Sequence, residues 1–235
     1  MRYPRSQVAL ERALSKLGLA SRSHARLLIR DGHVRVDGRI VNDPLAGVNP
    51  DRVDITVGGQ ATDARQRRTI AFYKPRGVVT TRHDPQGRRT VFDVLGPEAD
   101  GLVAVGRLDL ATSGLLLLTS DTQLAERLTN PKSGVIRRYA VTVRGEVSDD
   151  DRARLERGVE DLRPRAVSIR KRSRRETHLL VELTEGKNRE IRRLFQSIGA
   201  EVTRLLRVAY GRIELETLQP GQWREVPHSA VGIQP

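Results

Sequence analysis

The sequence predicts an α+β protein in which a small N-terminal unit precedes a larger domain with a mixed, largely antiparallel sheet. Short apolar segments and helical segments alternate at irregular intervals, unlike the regular series of a βαβ fold. Two helix patterns and a hairpin signal fill the first 57 residues, and a stretch without periodicity follows them. The 235 residues are enough for one large domain or two small ones with a buried core.

The first unit begins with two amphipathic helices. The apolar stripe of the first helix consists of Leu10, Leu14 and Leu17. Gly18 can end that helix, and Ser21 can cap a second helix over 22–31. The inner face of the second helix is expected to hold Ala25 and Leu28.

A hairpin follows these helices. Apolar and polar residues alternate over 33–41 around Asp37-Gly38, which is the strongest short signal for a two-residue hairpin turn. Residues 54–57 supply another strand, and periodicity is then lost. We therefore predict a first domain over 1–60, a linker over 61–68 and a second domain over 69–235.

Short strands dominate the predicted second domain. They are expected over 70–73, 78–81, 102–105, 115–119, 139–143, 166–172, 178–183 and 202–208. Helices are expected over 90–95, 121–128, 148–157 and 187–198. Ser148, with Asp151 three residues later, matches a capping box at the start of the third of these helices.

The charge balance indicates a polyanionic partner. The chain has 42 Lys and Arg residues against 29 Asp and Glu, a net charge of +13, and only five of the basic residues are Lys. Guanidinium groups suit phosphate geometry, and both predicted domains carry a positive charge. Because aromatic residues make up only 3% of the chain, stacking on many successive bases is not expected.

The composition also excludes several classes of protein. The absence of Cys rules out a disulfide framework and Cys-ligated metal sites, and the five scattered His residues lack metal-ligand spacing. The longest apolar runs, such as 115–118, are far shorter than the roughly 20 residues of a membrane span. Glu11 and Lys16 interrupt the apolar stretch that a signal peptide needs. We expect a cytoplasmic monomer without a membrane partner.

The segment 106–121, GRLDLATSGLLLLTSD, is the first candidate site. Apolar strands flank a loop that carries Arg107 and Asp109, so a carboxylate and a guanidinium lie together at the mouth between buried strands. A partly desolvated carboxylate that a positive neighbour keeps ionised can act as a nucleophile or a base. An ordinary polar turn is the alternative interpretation of these residues.

A basic helix within 185–202 is the second candidate. Its buried stripe consists of Ile191, Leu194, Phe195 and Ile198. Another face carries Arg189, Arg192, Arg193 and Gln196 at helical spacing. Such a face can hold a nucleic-acid backbone or a carboxylate, and a solvated basic surface is the alternative.

Two shorter patterns complete the set. Tyr139, in the strand pattern RRYAV, can pack in the core or stack on a planar ligand. In YKPRGVVTT, residues 73–81, Pro75 and Gly77 shape a sharp connection between strands. We interpret this second pattern as structural.

Taken together, the motifs resemble the bacterial rRNA pseudouridine synthases of the RsuA/RluB type. The resemblance covers nearly the whole chain and keeps the order of YKPRG, GRLDLATSGLLLLTSD, RRYAV, LTEGKNREIRRLFQSIGAEVTRLLR and PGQWREV. The segment SRSHARLLIRDGHVRVDG resembles the small ribosomal S-four (alpha-L) RNA-binding domain that precedes the catalytic domain in this family.

The resemblance implies that uridine in RNA is isomerised to pseudouridine without a metal ion or an organic cofactor. Asp109 matches the essential aspartate of the family, Arg107 the arginine that replaces the flipped nucleotide, and Tyr139 the tyrosine that contacts uracil. Arg192, with Ile191 before it, matches the basic residue that pairs with the aspartate. Further RNA contacts are expected from Lys187 and Arg189, and in the first domain from Arg22, Arg26 and Arg30.

The segments NREIRRL and RVAYG resemble the RluB-like branch of this family more than the small-subunit branch. The sequence therefore predicts a site-specific pseudouridine synthase acting on large-subunit (23S) rRNA. The alternatives are a synthase for small-subunit rRNA and a non-enzymatic rRNA-binding assembly factor.

Overall fold

The computed structural model describes most of the chain. The described residues are 7–17, 19–20, 22–50, 52–58, 60–61 and 67–231. The predicted helix end at Gly18, the predicted cap at Ser21 and linker residues 62–66 lie outside them. None of the helices within the described residues is both long enough and apolar enough to cross a membrane.

The N-terminal part combines a helix pair with short strands. Its elements are β1 (Val8–Ala9), α1 (Leu10–Lys16), α2 (Arg22–Arg30), β2 (Val34–Val36), β3 (Arg39–Ile40), β4 (Gly47–Val48), β5 (Ile55–Val57) and β6 (Gln60–Ala61). Strand β1 pairs with β4, and a second sheet has the order β3-β2-β5-β6. Ala61, expected as the first linker residue, is therefore the last residue of a strand.

The hairpin and most of the helix packing agree with the prediction. Asp37 and Gly38 have φ values of 48° and 78°, which are those of the predicted two-residue turn. Ala25 is fully buried, but Leu28 is only partly buried and Ile29 takes the inner position. Ile29 lies four residues after Ala25 and therefore on the same helix face, whereas Leu28 lies at its margin.

The larger domain is built on one mixed sheet. Its elements are β7 (Thr69–Lys74), α3 (Val91–Leu95), β8 (Val103–Ala104), β9 (Ser113–Thr119), α4 (Thr122–Thr129), β10 (Arg137–Arg144), α5 (Asp149–Arg157), β11 (Ala166–Arg172), β12 (Glu176–Leu183), α6 (Glu190–Gln196), β13 (Val202–Tyr210), β14 (Ile213–Glu214) and β15 (Trp223–Glu225). The strand order is β11-β12-β10-β13-β9-β7-β15, with β14 beside β13 and β8 beside β9. Only the β13–β9 pairing is parallel among those of this sheet within the described residues.

Helix starts follow their capping residues. Thr90 with Asp93 and Ser148 with Asp151 form capping boxes at α3 and α5, and the Asp121 side chain caps α4. Helix α6 begins at Glu190, three residues later than predicted, because Arg189 before it has a φ of 49°. A residue in the left-handed conformation cannot belong to a right-handed helix, so the helix cannot extend toward the N-terminus beyond it.

The sheet packs on both faces where β7 and β9 run through it. Leu116 and Leu118 of β9 join the core formed with α3, α5 and α6. Leu115 and Leu117 alternate with them and pack against α4. A strand with a core on each side is expected to be apolar at every position, as the run of four leucines is.

One predicted strand, 78–81, is wrong. Val79 forms only an isolated bridge with Thr90, and the segment is otherwise a loop. The apolar pattern arises because Val78 packs into the core while the polar groups of this loop bind a neighbouring segment. Alternation without a continuous partner strand does not make a ladder.

Gly114 is required where β9 meets β13. Its φ is 111°, and a Cβ built there would lie 2.6 Å from the backbone nitrogen of Arg207 and closer still to the Arg207 carbonyl oxygen. No backbone approach this tight leaves room for a side chain. The parallel pairing therefore depends on glycine at this position.

We predict that Gly114→Ala lowers the free energy of unfolding by more than about 2 kcal/mol, because strain at positive φ adds to a backbone clash. Gly145→Ala is the matched control: its φ is 78°, but no atom lies within 4 Å of the built Cβ. The control should cost only about 1 kcal/mol in urea unfolding. Equal losses in the two variants would contradict the role assigned to the close approach.

Candidate active site

Asp109 lies in the segment that joins β8 to β9. Its carbonyl accepts a hydrogen bond from the backbone N–H of Thr112 at 3.0 Å, which closes a tight turn. The residue is half-buried. Within the described part of the chain, the Asp109 carboxylate makes neither a hydrogen bond nor an ion pair. Its oxygens are therefore available to a ligand.

The loop after β7 holds this turn from one side. The backbone N–H of Gly77 donates to the carbonyl of Leu110 at 2.8 Å. The Thr80 hydroxyl donates to the Leu108 carbonyl at 3.0 Å and accepts from the Leu108 N–H at 3.3 Å. The loop after β7 therefore fixes the backbone on both sides of Asp109.

Lys74 holds the same turn from within the core. It is fully buried, and its ammonium group donates to the carbonyls of Pro75 at 2.9 Å and Thr112 at 2.8 Å. Burial lowers the pKa of Lys74 to about 8; the negative charge of Asp109 opposes this shift and the positive charge of Arg207 adds to it. Lys74 thus places a fixed positive charge beneath the Asp109 turn.

A cleft of about 410 Å³ contains Asp109 and brings most of the predicted site residues together. Those that line it are Arg107, Asp109, Tyr139, Lys187, Arg189 and Ile191. Arg107 is exposed at the rim, whereas Tyr139 is only 8% exposed and also belongs to the core. Tyr139 therefore packs in the core, as one interpretation of the sequence expects, and it also borders the cleft; stacking on a planar ligand stays a prediction.

Arg192 does not line this cleft and contacts backbone instead of the Asp109 carboxylate. Its guanidinium donates to the Val202 carbonyl at 2.9 Å and to the Ala111 carbonyl at 3.4 Å. Burial lowers the pKa of Arg192, while the charge of Asp109 acts in the opposite direction. Arg192 therefore interacts with the Asp109 turn through Ala111 and through its charge.

Two buried arginines that the sequence analysis missed form part of the cleft wall. Arg137 and Arg207 lie with their guanidinium carbons 4.9 and 5.0 Å from the centre of the Tyr210 ring. Arg207 Nε donates to the carbonyl of Leu115 at 2.6 Å, which ties β13 to β9. These residues stand in the quoted motifs RRYAV and RVAYG, but nothing in the letters distinguishes a buried arginine from an exposed one.

The two other carboxylates in the cleft lining are already engaged. Glu185 pairs with Lys187 at 2.8 Å, and Lys187 also contacts Asp161. The carboxylate of Glu190 accepts from the backbone N–H of Lys187 at 3.1 Å, and burial raises the pKa of Glu190. Asp109 is therefore the free carboxylate among the three.

The basic helix of the N-terminal part presents its arginines unequally. Arg22, Arg26 and Arg30 are all exposed, as predicted. Arg26, however, forms a two-pronged pair with the buried carboxylate of Glu11, and this hydrogen bond, followed by the charge of Arg26, lowers the pKa of Glu11. Arg22 and Arg30 are better placed to meet an external anion.

The donor sets that hold metal ions do not occur in the described residues. No group of three or more His, Asp or Glu side chains with suitable geometry is found among them. The cleft itself offers the free carboxylate of Asp109, the rings of Tyr139 and Tyr210 and a set of cations.

These features are those expected of an enzyme that acts on RNA. The cleft combines a free carboxylate with the ring of Tyr139 and several guanidinium groups, and guanidinium groups suit phosphate geometry. The separate basic helix suits a second contact with the same polyanion.

The chain belongs to the RNA pseudouridylate synthase family. Residues 68–197 match the family model for RNA pseudouridylate synthase, and residues 10–52 match the S4 domain. The fold class and the resemblance inferred from the sequence are thereby confirmed.

Relatives and a solved structure agree with this family. Over 92% of its length the chain is 41% identical to "Ribosomal large subunit pseudouridine synthase B" of Yersinia pestis and 42% identical to the protein of that name in Escherichia coli K12, covering 72% and 78% of them. A structure described as pseudouridylate synthase matches with a TM-score of 0.65 and 27% identity, over 95% of this chain and 98% of that one.

Because the ammonium group of Lys74 is buried, the stability of the folded protein is expected to change with pH in the alkaline range. The pKa of this group is about 8 in the folded protein against 10.5 for an unperturbed lysine, so the folded chain releases this proton first. Between pH 8 and pH 10.5 the unfolded chain still holds this proton, whereas the folded chain has lost it. The free energy of unfolding should therefore rise by up to about 3 kcal/mol over this range.

Urea unfolding at several pH values measures this effect. In Lys74→Met the gain with rising pH should disappear, whereas the exposed control Lys132→Met should keep the wild-type slope. Parallel curves for wild type and Lys74→Met would contradict the assignment.

Proposed function

We propose that this protein converts a specific uridine of large-subunit rRNA into pseudouridine. The observation that carries the proposal is the free carboxylate of Asp109 in a cationic cleft. Hydrogen bonds from the buried Lys74 and from Thr80 to backbone carbonyls hold the turn on which this carboxylate stands. The relatives from two bacteria are named as large-subunit pseudouridine synthases, which supports the choice of large-subunit rRNA.

The reaction breaks the N-glycosidic bond of uridine and joins the ribose to a carbon of the same ring. That carbon loses its proton and the released ring nitrogen gains one, so the product is an isomer of the substrate. Asp109 is the catalytic residue, because it is the cleft carboxylate with unengaged oxygens. The ammonium group of Lys74 lies beneath the turn that carries Asp109, and an aspartate carboxylate can act as a nucleophile or a base. Arg192 is a positioning residue that acts through the Ala111 carbonyl and its charge.

Access to the base requires its extrusion from the folded RNA. Unstacking costs a few kcal/mol, which a side chain entering the vacated space can offset. Arg107 is exposed at the rim two residues before Asp109, so it is suited to this place. Tyr139 offers its ring to the extruded uracil, and Ile191 supplies an apolar contact in the same cleft. Lys187 and Arg189 line the cleft just before α6 begins, and there they bind the flanking phosphates.

The N-terminal part acts as a second RNA contact. We assign residues 1–61 to this domain, because strand β6 ends at Ala61, residues 62–68 to the linker and residues 69–235 to the catalytic domain. The hydroxyl of Thr122 on α4 donates to the carbonyl of Ser15 on α1 at 3.0 Å. The next helix, α2, carries the exposed Arg22 and Arg30. The opposite end of α4, at Thr129, lines the cleft, so one helix connects the two contacts.

We further assign the protein to the cytoplasm and regard it as a monomer.

Mapping of pseudouridine tests the substrate directly. Purified protein incubated with unmodified large-subunit and small-subunit rRNA should introduce pseudouridine at one position of the large-subunit rRNA. Cells that lack the gene should lose the modification at that position and regain it when the gene is restored. Modification confined to small-subunit rRNA would overturn the substrate, and absence of any modification would favour a non-enzymatic assembly factor.

We predict that Asp109→Asn abolishes turnover while RNA affinity stays within about tenfold, roughly 1.4 kcal/mol. Asparagine keeps the size of the side chain but removes the anion. Asp150→Asn, an exposed carboxylate in the first turn of α5, is the control and should retain wild-type turnover. Single-turnover assays and filter binding on the mapped rRNA fragment measure the two quantities. Turnover by Asp109→Asn near the wild-type rate would refute the assignment.

A further inference from the structure

A positively charged surface lies on the sheet far from the cleft. Along β12, buried residues alternate with residues that are half-buried or exposed, so one face of this part of the sheet is covered and the other is more open to solvent. The covered face packs against α5 and α6. On the more open face, four strands align one residue each in a single row, namely Arg204, Thr142, His178 and Lys171. The two ends of the row are exposed, whereas Thr142 is buried and the half-buried His178 has its Nε2 2.9 Å from a Glu176 carboxylate oxygen.

The turn between β11 and β12 extends this row with more positive charge. It carries Arg174 and Arg175, both exposed. We refer to Lys171, Arg174, Arg175 and Arg204 as the basic sheet surface. Arg170, at the bulge of β11, adds a fifth exposed cation beside it.

Nearby carboxylates do not neutralise these groups. Arg172 pairs with Asp149 at 3.0 Å, and Arg144 pairs with Glu201 at 2.7 Å. Among the described residues, the four members of the basic sheet surface form no such ion pair. An exposed group of unpaired cations repels itself, so it is most stable with an external polyanion bound.

The chemistry of the surface favours a nucleic-acid backbone over exposed bases. Thr142 and Ala140 on the open face are small, and the row carries no Phe, Tyr or Trp ring on which a base could stack. Lys171 and Arg204 stand at its two ends, three strand spacings or about 14 Å apart. Cations at that separation around a flat polar floor suit the phosphates of an RNA helix.

The position of the surface decides which helix it can reach. Tyr139 and Leu183, which line the cleft, lie on the opposite face of the sheet, because both belong to the core that packs against α6. Along β12, His178 in the row and Leu183 in the cleft are five residues or about 17 Å apart. The basic sheet surface therefore faces away from a short stem-loop held in the cleft.

We propose that the basic sheet surface binds a second helix of the folded rRNA, separate from the stem-loop that enters the cleft. The inference rests on the proposed function for the identity of the polyanion. It gives the enzyme a contact that distinguishes a folded rRNA domain from an isolated hairpin of the same local sequence.

The test compares two RNAs: the minimal stem-loop around the mapped uridine, and a larger rRNA fragment that includes the neighbouring helices. The variant Lys171→Thr/Arg174→Ser/Arg175→Ser/Arg204→Thr changes only exposed side chains and should fold normally. On the larger fragment, the slope of log affinity against log salt should fall by about three units. The dissociation constant and KM should rise at least about tenfold there, with kcat unchanged. On the minimal stem-loop all of these values should match wild type.

A charge-matched pair of variants separates this site from a general effect of net charge. Arg174→Ser/Arg175→Ser and Arg154→Gln/Arg157→Gln each remove two exposed arginines, the second pair from α5. Only the first should lower the salt slope on the larger fragment. Equal losses in both, or none in the first, would overturn the proposal.

Two further outcomes would also overturn it. Equal weakening on the minimal stem-loop would mean that the surface binds the target hairpin itself. An effect seen only on particles that contain ribosomal proteins would mean that the partner is a protein. Failure of the wild type to modify large-subunit rRNA is a different result: it refutes the proposed function, whereas the salt slopes report on this surface without turnover.

Discussion

The geometry of the site depends on one buried ammonium group. Lys74, at the end of β7, donates to the carbonyls of Pro75 and Thr112 and so joins the loop after β7 to the turn that carries Asp109. Burial of a charge is unfavourable unless acceptors surround it, so the two carbonyls and the lysine hold each other in place. Thr80 adds a second tie at Leu108. The carboxylate is thereby held by backbone contacts, which leave its oxygens free.

The cleft concentrates positive charge around that carboxylate. Arg137 and Arg207 are buried in its wall against Tyr210, and Arg107 and Arg189 stand at its exposed margin. Such a field attracts a polyanion. In the proposed reaction, the groups that bind the RNA backbone therefore surround the carboxylate that carries out the chemistry.

Local patterns predicted a large part of this structure. The capping box at Ser148 and the turn at Asp37-Gly38 appear as expected, because each depends on residues within a few positions of one another. The run 78–81 was wrong, since a strand exists only where a partner strand completes its hydrogen bonds. Arg192 was expected beside Asp109, yet its guanidinium binds the carbonyls of Val202 and Ala111.

The sequence by itself determined the charge, the helices, the hairpin, the family and the candidate aspartate, because composition, short-range periodicity and motif order are all written along the chain. Only the tertiary structure decided which charged groups are buried. Lys74, Arg137 and Arg207 look in the sequence like any other basic residue among 42, and it is the packing of distant strands that removes them from water. The same packing leaves the carboxylate of Asp109 without a protein partner in the described chain. Desolvation and long-range contact depend on neighbours far away in sequence, so no local pattern could have shown them.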